Sequence, residues 1–194
     1  MNKMLIPSLL ALTVLSSCGA PSAQQPPLAG AAMGGAFTLT NQDGARVSDR
    51  NFAGKYRLIY FGYTYCPDVC PVDVQRLMQG YRALLVSDKA LAAKLVPIFI
   101  TIDPARDTPG KLKEFVNAFD PNLVGLTGSE SEIADVAKRY ATSYQKAPGA
   151  TNETYLMDHS RTAVLYGPDG QPIALIAQDG TPQAIADELK RWIK

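Results

Sequence analysis

Tyr56-Arg57-Leu58-Ile59-Tyr60-Phe61-Gly62-Tyr63 runs directly into Thr64-Tyr65-Cys66-Pro67-Asp68-Val69-Cys70-Pro71. Aromatic and branched side chains dominate the first eight residues, the pattern of a strand buried on both faces. Behind Pro71, the apolar positions Val74, Leu77, Met78, Tyr81 and Leu84 or Leu85 have helical spacing, which predicts a long helix opening at Pro71. Two cysteines therefore stand between a central strand and the start of a helix. A thiol there sees the positive end of the helix dipole and unpaired backbone N–H groups. Both favour the thiolate, the form that attacks disulfides and binds metals.

Strand and helix signals continue on either side. Phe37 to Thr40 and Ala45 to Val47, joined by Asn41-Gln42-Asp43-Gly44, predict a small hairpin with an Asp-Gly turn. Leu95 to Ile102 predicts a second buried strand, weakened at its start by Pro97, which cannot donate to a sheet ladder. Ala163 to Tyr166 and Ile173 to Ala177, joined by Gly167-Pro168-Asp169-Gly170, predict a later hairpin. Further helices are marked by Leu112, Phe115, Val116 and Phe119 after Pro109, and by Ile133, Val136, Ala137 and Tyr140. A last one carries Ile185, Leu189 and Trp192 behind a Thr181 cap and Pro182. This order predicts an α/β fold: a thioredoxin-like sandwich over residues 36–194, with an N-terminal β-hairpin and an inserted, late β-hairpin.

The chain has 194 residues, 46% hydrophobic and 19% charged, with nineteen basic and eighteen acidic side chains. A formal charge of +1 without a basic run excludes a protein that coats nucleic acid. Met1 to Leu15 carries Lys3 and then an apolar run of about a dozen residues, too short to span a hydrocarbon core that needs about 20. It reads as an export signal over residues 1–17. Leu15-Ser16-Ser17-Cys18-Gly19 resembles the bacterial lipobox, which makes Cys18 a lipid anchor; an ordinary signal peptide with a chance cysteine is the alternative. Residues 18–35, rich in Pro, Ala, Gly, Gln and Ser, read as the lipidated Cys18 and a flexible tether spanning roughly 20 to 25 Å.

With Cys18 assigned to lipid, Cys66, Cys70 and the only histidine, His159, remain. Residues four apart on one helical turn rise about 6 Å, within reach of a disulfide, so reversible oxidation and metal binding are both open. A static disulfide is weakly motivated, because the loop it would close is very short. An isolated histidine is commonly a surface or packed residue. Two thiolates and one imidazole nevertheless form a soft, low-coordinate set that suits copper, particularly Cu(I), whereas structural zinc takes four protein ligands. Asp158, beside His159, is a candidate to orient it or to serve in a turn, since adjacent side chains diverge in extended chain.

Three segments, in order, carry a family resemblance: Cys66-Pro67-Asp68-Val69-Cys70-Pro71 after an aromatic strand, Thr101-Ile102-Asp103-Pro104-Ala105-Arg106-Asp107-Thr108-Pro109 after the next strand, and Asp158-His159-Ser160 before the late hairpin. Together they resemble the Sco/SenC family from about residue 36 to the end. The resemblance implies a membrane-tethered copper metallochaperone, a carrier more than an enzyme. It would hold one copper ion, as Cu(I) or Cu(II), through Cys66, Cys70 and His159, with the two cysteines also a redox pair. Its implied task is assembly of the dinuclear copper centre of cytochrome c oxidase, by delivering copper or by reducing the cysteines that receive it. Implied partners are the copper-bearing oxidase subunit and another periplasmic copper chaperone or thiol reductant, with the protein held to its membrane by lipid on the extracytoplasmic side. Asp103 and Asp107 become candidates for orienting ligands or docking a partner, although both also fit ordinary turn and helix-start roles.

Two other functions compete. A metal-free thiol-disulfide oxidoreductase would use Cys66 and Cys70 alone, but thioredoxin-like redox motifs place two residues between the cysteines, not three. A thiol peroxidase of similar architecture would carry a threonine three residues before its reactive cysteine, whereas Thr64 stands two before Cys66.

Overall fold

The structure is a computed structural model, and it describes residues 24–149 and 155–194. The expected signal segment and Cys18 lie outside the described residues. Nine strands and five α-helices follow one another among the described residues: β1 (Thr38–Asn41), β2 (Arg46–Ser48), β3 (Tyr56–Gly62), α1 (Val69–Ser87), α2 (Lys89–Ala92), β4 (Leu95–Thr101), α3 (Pro109–Phe119), β5 (Val124–Thr127), α4 (Glu130–Arg139), β6 (Tyr144–Lys146), β7 (Met157–His159), β8 (Ala163–Tyr166), β9 (Pro172–Ile176) and α5 (Pro182–Trp192).

Seven strands form one sheet in the order β2-β1-β5-β4-β3-β8-β9, and β6 pairs with β7 apart from it. Every residue of β3 is buried, as its unbroken apolar run requires of a strand covered on both faces. Parallel pairing with β4 runs from Tyr56 opposite Leu95 to Gly62 opposite Thr101. Pro97 is accommodated because β5 begins its pairing only at Ile98 opposite Val124, leaving β4 a strand neighbour on one side there. Antiparallel pairing of β3 with β8 sets Tyr60 opposite Ala163. That register brings the segment just before β8 to the C-terminal end of β3, where α1 begins. Chain leaving β3, chain leaving β4 and chain entering β8 thus meet beyond the C-terminal ends of β3 and β4, in the middle of the sheet.

The helices follow their sequence signals. Thr181 accepts a hydrogen bond from Ala184 N–H, and Ile185, Leu189 and Trp192 of α5 are buried. α1 and α5 pack closely, with Gly80 against Ile185; a side chain at position 80 would overlap Ile185 Cβ at 2.5 Å. Three expectations are corrected. α1 begins at Val69 with Asp68 at its N-cap, so Pro71 is its third residue and Cys70 lies inside the first turn. Short elements the periodicity did not mark, α2, β5 and the β6–β7 pair, complete the fold. Residues 28–35, expected within a flexible tether, lie on the domain instead. Leu28 N–H donates to Ile173 O, Gly34 N–H to Arg139 O, and the Tyr140 hydroxyl to Gly35 O, while Leu28 and Met33 pack on the core. Two apolar side chains and matched backbone groups suffice to dock a segment of otherwise loop-like composition.

Candidate metal centre

β3 ends at Gly62, and a Cβ there would sit 3.2 Å from Cys70 Sγ and 2.9 Å from the Phe99 ring. The absent side chain lets the cysteine pack against the strand. The chain then turns through Thr64 and Tyr65, with Cys66 N–H donating to Tyr63 O. Cys66 stands ahead of α1 and Cys70 is its second residue, so the pair does not occupy one helical turn. Cys70 N–H, one of the helix's unpaired first-turn amides, donates to Cys66 Sγ at 3.4 Å. The sulfur takes the place of a capping oxygen, since the Asp68 side chain makes no cap bond.

The two thiols differ in ionisation. Cys66 is held well below the ordinary thiol range, chiefly because the Cys70 thiol donates to it and further because His159 and backbone amides do so. Cys70, fully buried, is pushed up by giving that hydrogen bond and by burial. Only Cys66 is therefore poised as a thiolate.

His159 closes β7, opposite Tyr144 of β6. Its Nδ1 lies 3.0 Å from Ser160 O, and a carbonyl only accepts, so Nδ1 carries a proton and Nε2 is the nitrogen turned to the cysteines. Nε2 lies 3.2 Å from Cys70 Sγ. The rings of Tyr60 and Tyr63 stand edge-on to the imidazole at 6.3 and 6.0 Å, which fixes its plane. Tyr63 also accepts Met157 N–H through its hydroxyl, at 3.2 Å. Asp158 is exposed, and strand alternation turns it away from the face shared by Met157 and His159.

Asp103 and Asp107 are buried, and their hydrogen bonds brace the loops around the cysteines. Asp107 accepts from Thr64 N–H at 2.9 Å, Thr64 Oγ1 at 2.6 Å and Thr101 Oγ1 at 2.6 Å, fastening the turn before Cys66 to the end of β4. Burial raises its pKa above the usual carboxylate value despite these bonds. Full burial removes Asp107 from any docking role, and the Thr64 hydroxyl is committed to it instead of to a cysteine. Asp103 accepts the Tyr155 hydroxyl at 2.7 Å and pairs with Arg106, whose guanidinium lies 3.6 Å from the Tyr155 ring centroid. That cluster anchors the chain entering β7.

Sequence reasoning missed Asp73, Tyr60 and Arg161, which form a network beside the site in which the first two are buried and Arg161 reaches in from the surface. Asp73 was visible as the lone acid on the apolar stripe of α1, one turn after Cys70. Among the described residues, no group of three or more His, Cys, Asp or Glu side chains is placed to hold a metal ion as it stands. Cys66 Sγ and His159 Nε2 each lie beside Cys70, and two sulfurs with an imidazole are the donor types that suit a soft ion of low coordination number.

A thioredoxin-like domain with a Cys-x-x-x-Cys pair at its first long helix, faced by a histidine from a separate strand, defines the class. The sequence pattern of the SCO1/SenC family matches residues 25–194, and the chain belongs to that family. "Protein SCO1 homolog, mitochondrial" of Homo sapiens is 38% identical over 154 residues, 79% of this chain and 50% of the human protein, so the chain spans half of that relative's length. The structure of Bradyrhizobium japonicum ScoI with copper bound has a TM-score of 0.75 at 41% identity, covering 83% of this chain and 99% of that one. BsSco, described as a member of the Sco family of cytochrome c oxidase assembly proteins with a disulfide switch, has a TM-score of 0.63 at 28% identity, over 80% of this chain and 90% of that one.

Proposed function

We propose that this chain is a copper metallochaperone that carries one copper ion on Cys66, Cys70 and His159 Nε2 and assists assembly of the dinuclear copper centre of cytochrome c oxidase. The observation that carries this reading is the approach of His159 Nε2 to Cys70 Sγ, with Cys66 Sγ bonded to Cys70 N–H. The copper-bound Bradyrhizobium relative supports the cargo, and the oxidase-assembly description of BsSco supports the task. Cys66 meets the ion as a thiolate. Cys70 must give up its proton, so capture releases acid and tightens as pH rises. The Nδ1–H bond to Ser160 O orients the His159 ring so that Nε2 faces Cys70.

Anaerobic titration of residues 19–194 with Cu(I) against a chromophoric chelator tests the reading. One equivalent is expected to bind, and affinity to fall steeply in His159→Ala, Cys66→Ser and Cys70→Ser. Wild-type affinity in His159→Ala would remove that residue from the site.

The split ionisation of the thiols also favours a second reading, reduction of a partner's disulfide without metal. Cys66 thiolate would attack one partner sulfur, forming a mixed disulfide and releasing the other as thiolate. Cys70, deprotonated, would then attack Cys66 Sγ, releasing the second partner thiolate and leaving Cys66–Cys70 oxidised by two electrons. Disulfide turnover in strict absence of copper, unchanged by His159→Ala, would favour it over copper transfer.

For location, the lipobox-like Leu15-Ser16-Ser17-Cys18 supports export and acylation of Cys18, with the domain held at the extracytoplasmic face of a membrane. Among the described residues, no helix is long and apolar enough to cross a membrane. Intact-mass analysis of the mature N-terminus should show a diacylglyceryl adduct on Cys18, and Cys18→Ser should abolish it.

A further inference from the structure

We propose that Asp73, Tyr60 and Arg161 are positioning residues that hold His159 against the two cysteines and thereby set the affinity of the centre for copper. The inference rests on His159 being a ligand, as argued above.

Asp73 follows Cys70 by one turn of α1 and is fully buried. Arg161 follows His159 by two residues. Its Nε donates to Asp73 Oδ2 at 3.0 Å and its Nη2 to Oδ1 at 2.8 Å, a two-point fork. Tyr60, on β3, donates its hydroxyl to Asp73 Oδ2 at 2.9 Å and sets its ring edge against the imidazole. One buried carboxylate thus ties the helix that carries Cys70, the strand that backs the site and the segment that carries His159.

The backbone between His159 and Arg161 is held at successive groups, so movement at one end is felt at the other. Ser160 N–H donates to Ser143 O at 2.9 Å, Ser160 O receives His159 Nδ1–H, and the Gln178 amide donates to Arg161 O. The need for such a tie follows from topology. β7 pairs only with the three-residue β6, outside the seven-stranded sheet, so the histidine's strand lacks the two-sided ladder that fixes β3. A carboxylate buried this deeply is costly without a partner, which makes the fork hard to break and keeps the hinge of the strand in one place.

Arg161 is about half exposed, at 49%, so its replacement opens no cavity in the core, and circular dichroism checks that the variant folds with Asp73 unpaired. In the purified protein, Arg161→Gln is expected to bind Cu(I) about 10-fold more weakly in anaerobic chelator competition, the scale seen when a group orienting a metal ligand is lost. Arg161→Lys keeps the charge but not the fork and should show most of the same loss. Asp73→Asn, checked for folding by circular dichroism, should move affinity the same way. In a His159→Ala background, Arg161→Gln should cost nothing further, because the imidazole it positions is gone. The chain has one histidine, so the ring resonances of the copper-free protein report on it alone; they should shift and broaden in Arg161→Gln. Wild-type affinity in Arg161→Gln, full restoration by Lys, or an equal loss in the His159→Ala background would each overturn the proposal. If His159→Ala itself binds copper like wild type, the ligand assignment fails instead, and the two failures are told apart.

Discussion

Cys70 Sγ and His159 Nε2 stand 3.2 Å apart although 89 residues separate them in the chain. Their meeting depends on the antiparallel register of β3 and β8, which delivers the end of β7 to the start of α1. Chemistry at this point is asymmetric: Cys66 favours the thiolate and Cys70 keeps its proton beside the imidazole.

Alkylation should expose the asymmetry. In the reduced, metal-free protein, iodoacetamide is expected to modify Cys66 at neutral pH, with an inflection well below the ordinary thiol value of about 8.5, while Cys70 reacts only after unfolding. Cys70→Ala removes the thiol that donates to Cys66 and should move the inflection upward. Peptide mapping by mass spectrometry checks both, and equal labelling of the two cysteines would contradict the assignment.

Stability should depend on pH in a way peculiar to the dithiol form. Between the lowered pKa of Cys66 and about 8.5, unfolding takes up a proton at Cys66, so stability rises with pH. Above about 8.5 the unfolded Cys70 ionises while the folded one stays protonated, unfolding releases a proton, and stability falls. Relative to the disulfide form, the dithiol protein should therefore be most stable near pH 8.5, on limbs no steeper than about 1.4 kcal/mol per pH unit. Urea unfolding of both forms across the pH range measures the difference, and a flat difference would show that the thiols ionise alike in both states.

Two glycines separate packing from site. Gly80→Ala should destabilise the fold by about 1 to 3 kcal/mol through overlap with Ile185 on α5, with copper affinity unchanged. Gly62→Ala should cost a similar amount and also weaken copper binding, because its Cβ crowds Cys70 Sγ and the rings of Tyr60 and Phe99. Thermal unfolding with chelator competition on both variants reads the distinction.

Asp107→Ala orphans Thr64 N–H and two hydroxyls in a buried pocket. The expected cost is about 2 to 4 kcal/mol, with the turn before Cys66 loosened. Amide exchange should speed up selectively at Thr64 to Cys66. A purely surface role for Asp107 predicts neither effect.

The approach to the domain offers another check. Deleting residues 24–35 should destabilise the protein by about 1 to 3 kcal/mol, since Leu28 and Met33 pack on the core and Tyr140 loses its carbonyl partner. A free tether in that segment would leave the urea midpoint unchanged.

Much of this architecture was legible before any coordinates, because the signals are local. β3 announced itself by an unbroken apolar run, α5 by a Thr-Pro start and a stripe at 185, 189 and 192, and both hairpins by their turns. β5, β6 and β7 were not marked, being three or four residues long and stabilised by neighbours distant in the chain. The start of α1 was misplaced by two residues, since a proline is tolerated anywhere in the first turn, where amides lack intrahelical partners.

By itself, the sequence determined the thiol and imidazole inventory: two cysteines at a strand-to-helix junction, one histidine, and no other cysteine once Cys18 is set aside. Residue type and short-range spacing decide such matters. Only the tertiary structure decided which thiol keeps its proton, which imidazole nitrogen faces the cysteines, that Asp103 and Asp107 brace loops, and that a buried Asp73 faces Arg161. Each of these depends on burial and on hydrogen bonds between segments far apart in the chain. A periodicity read along the chain carries no information about which distant group a side chain will meet.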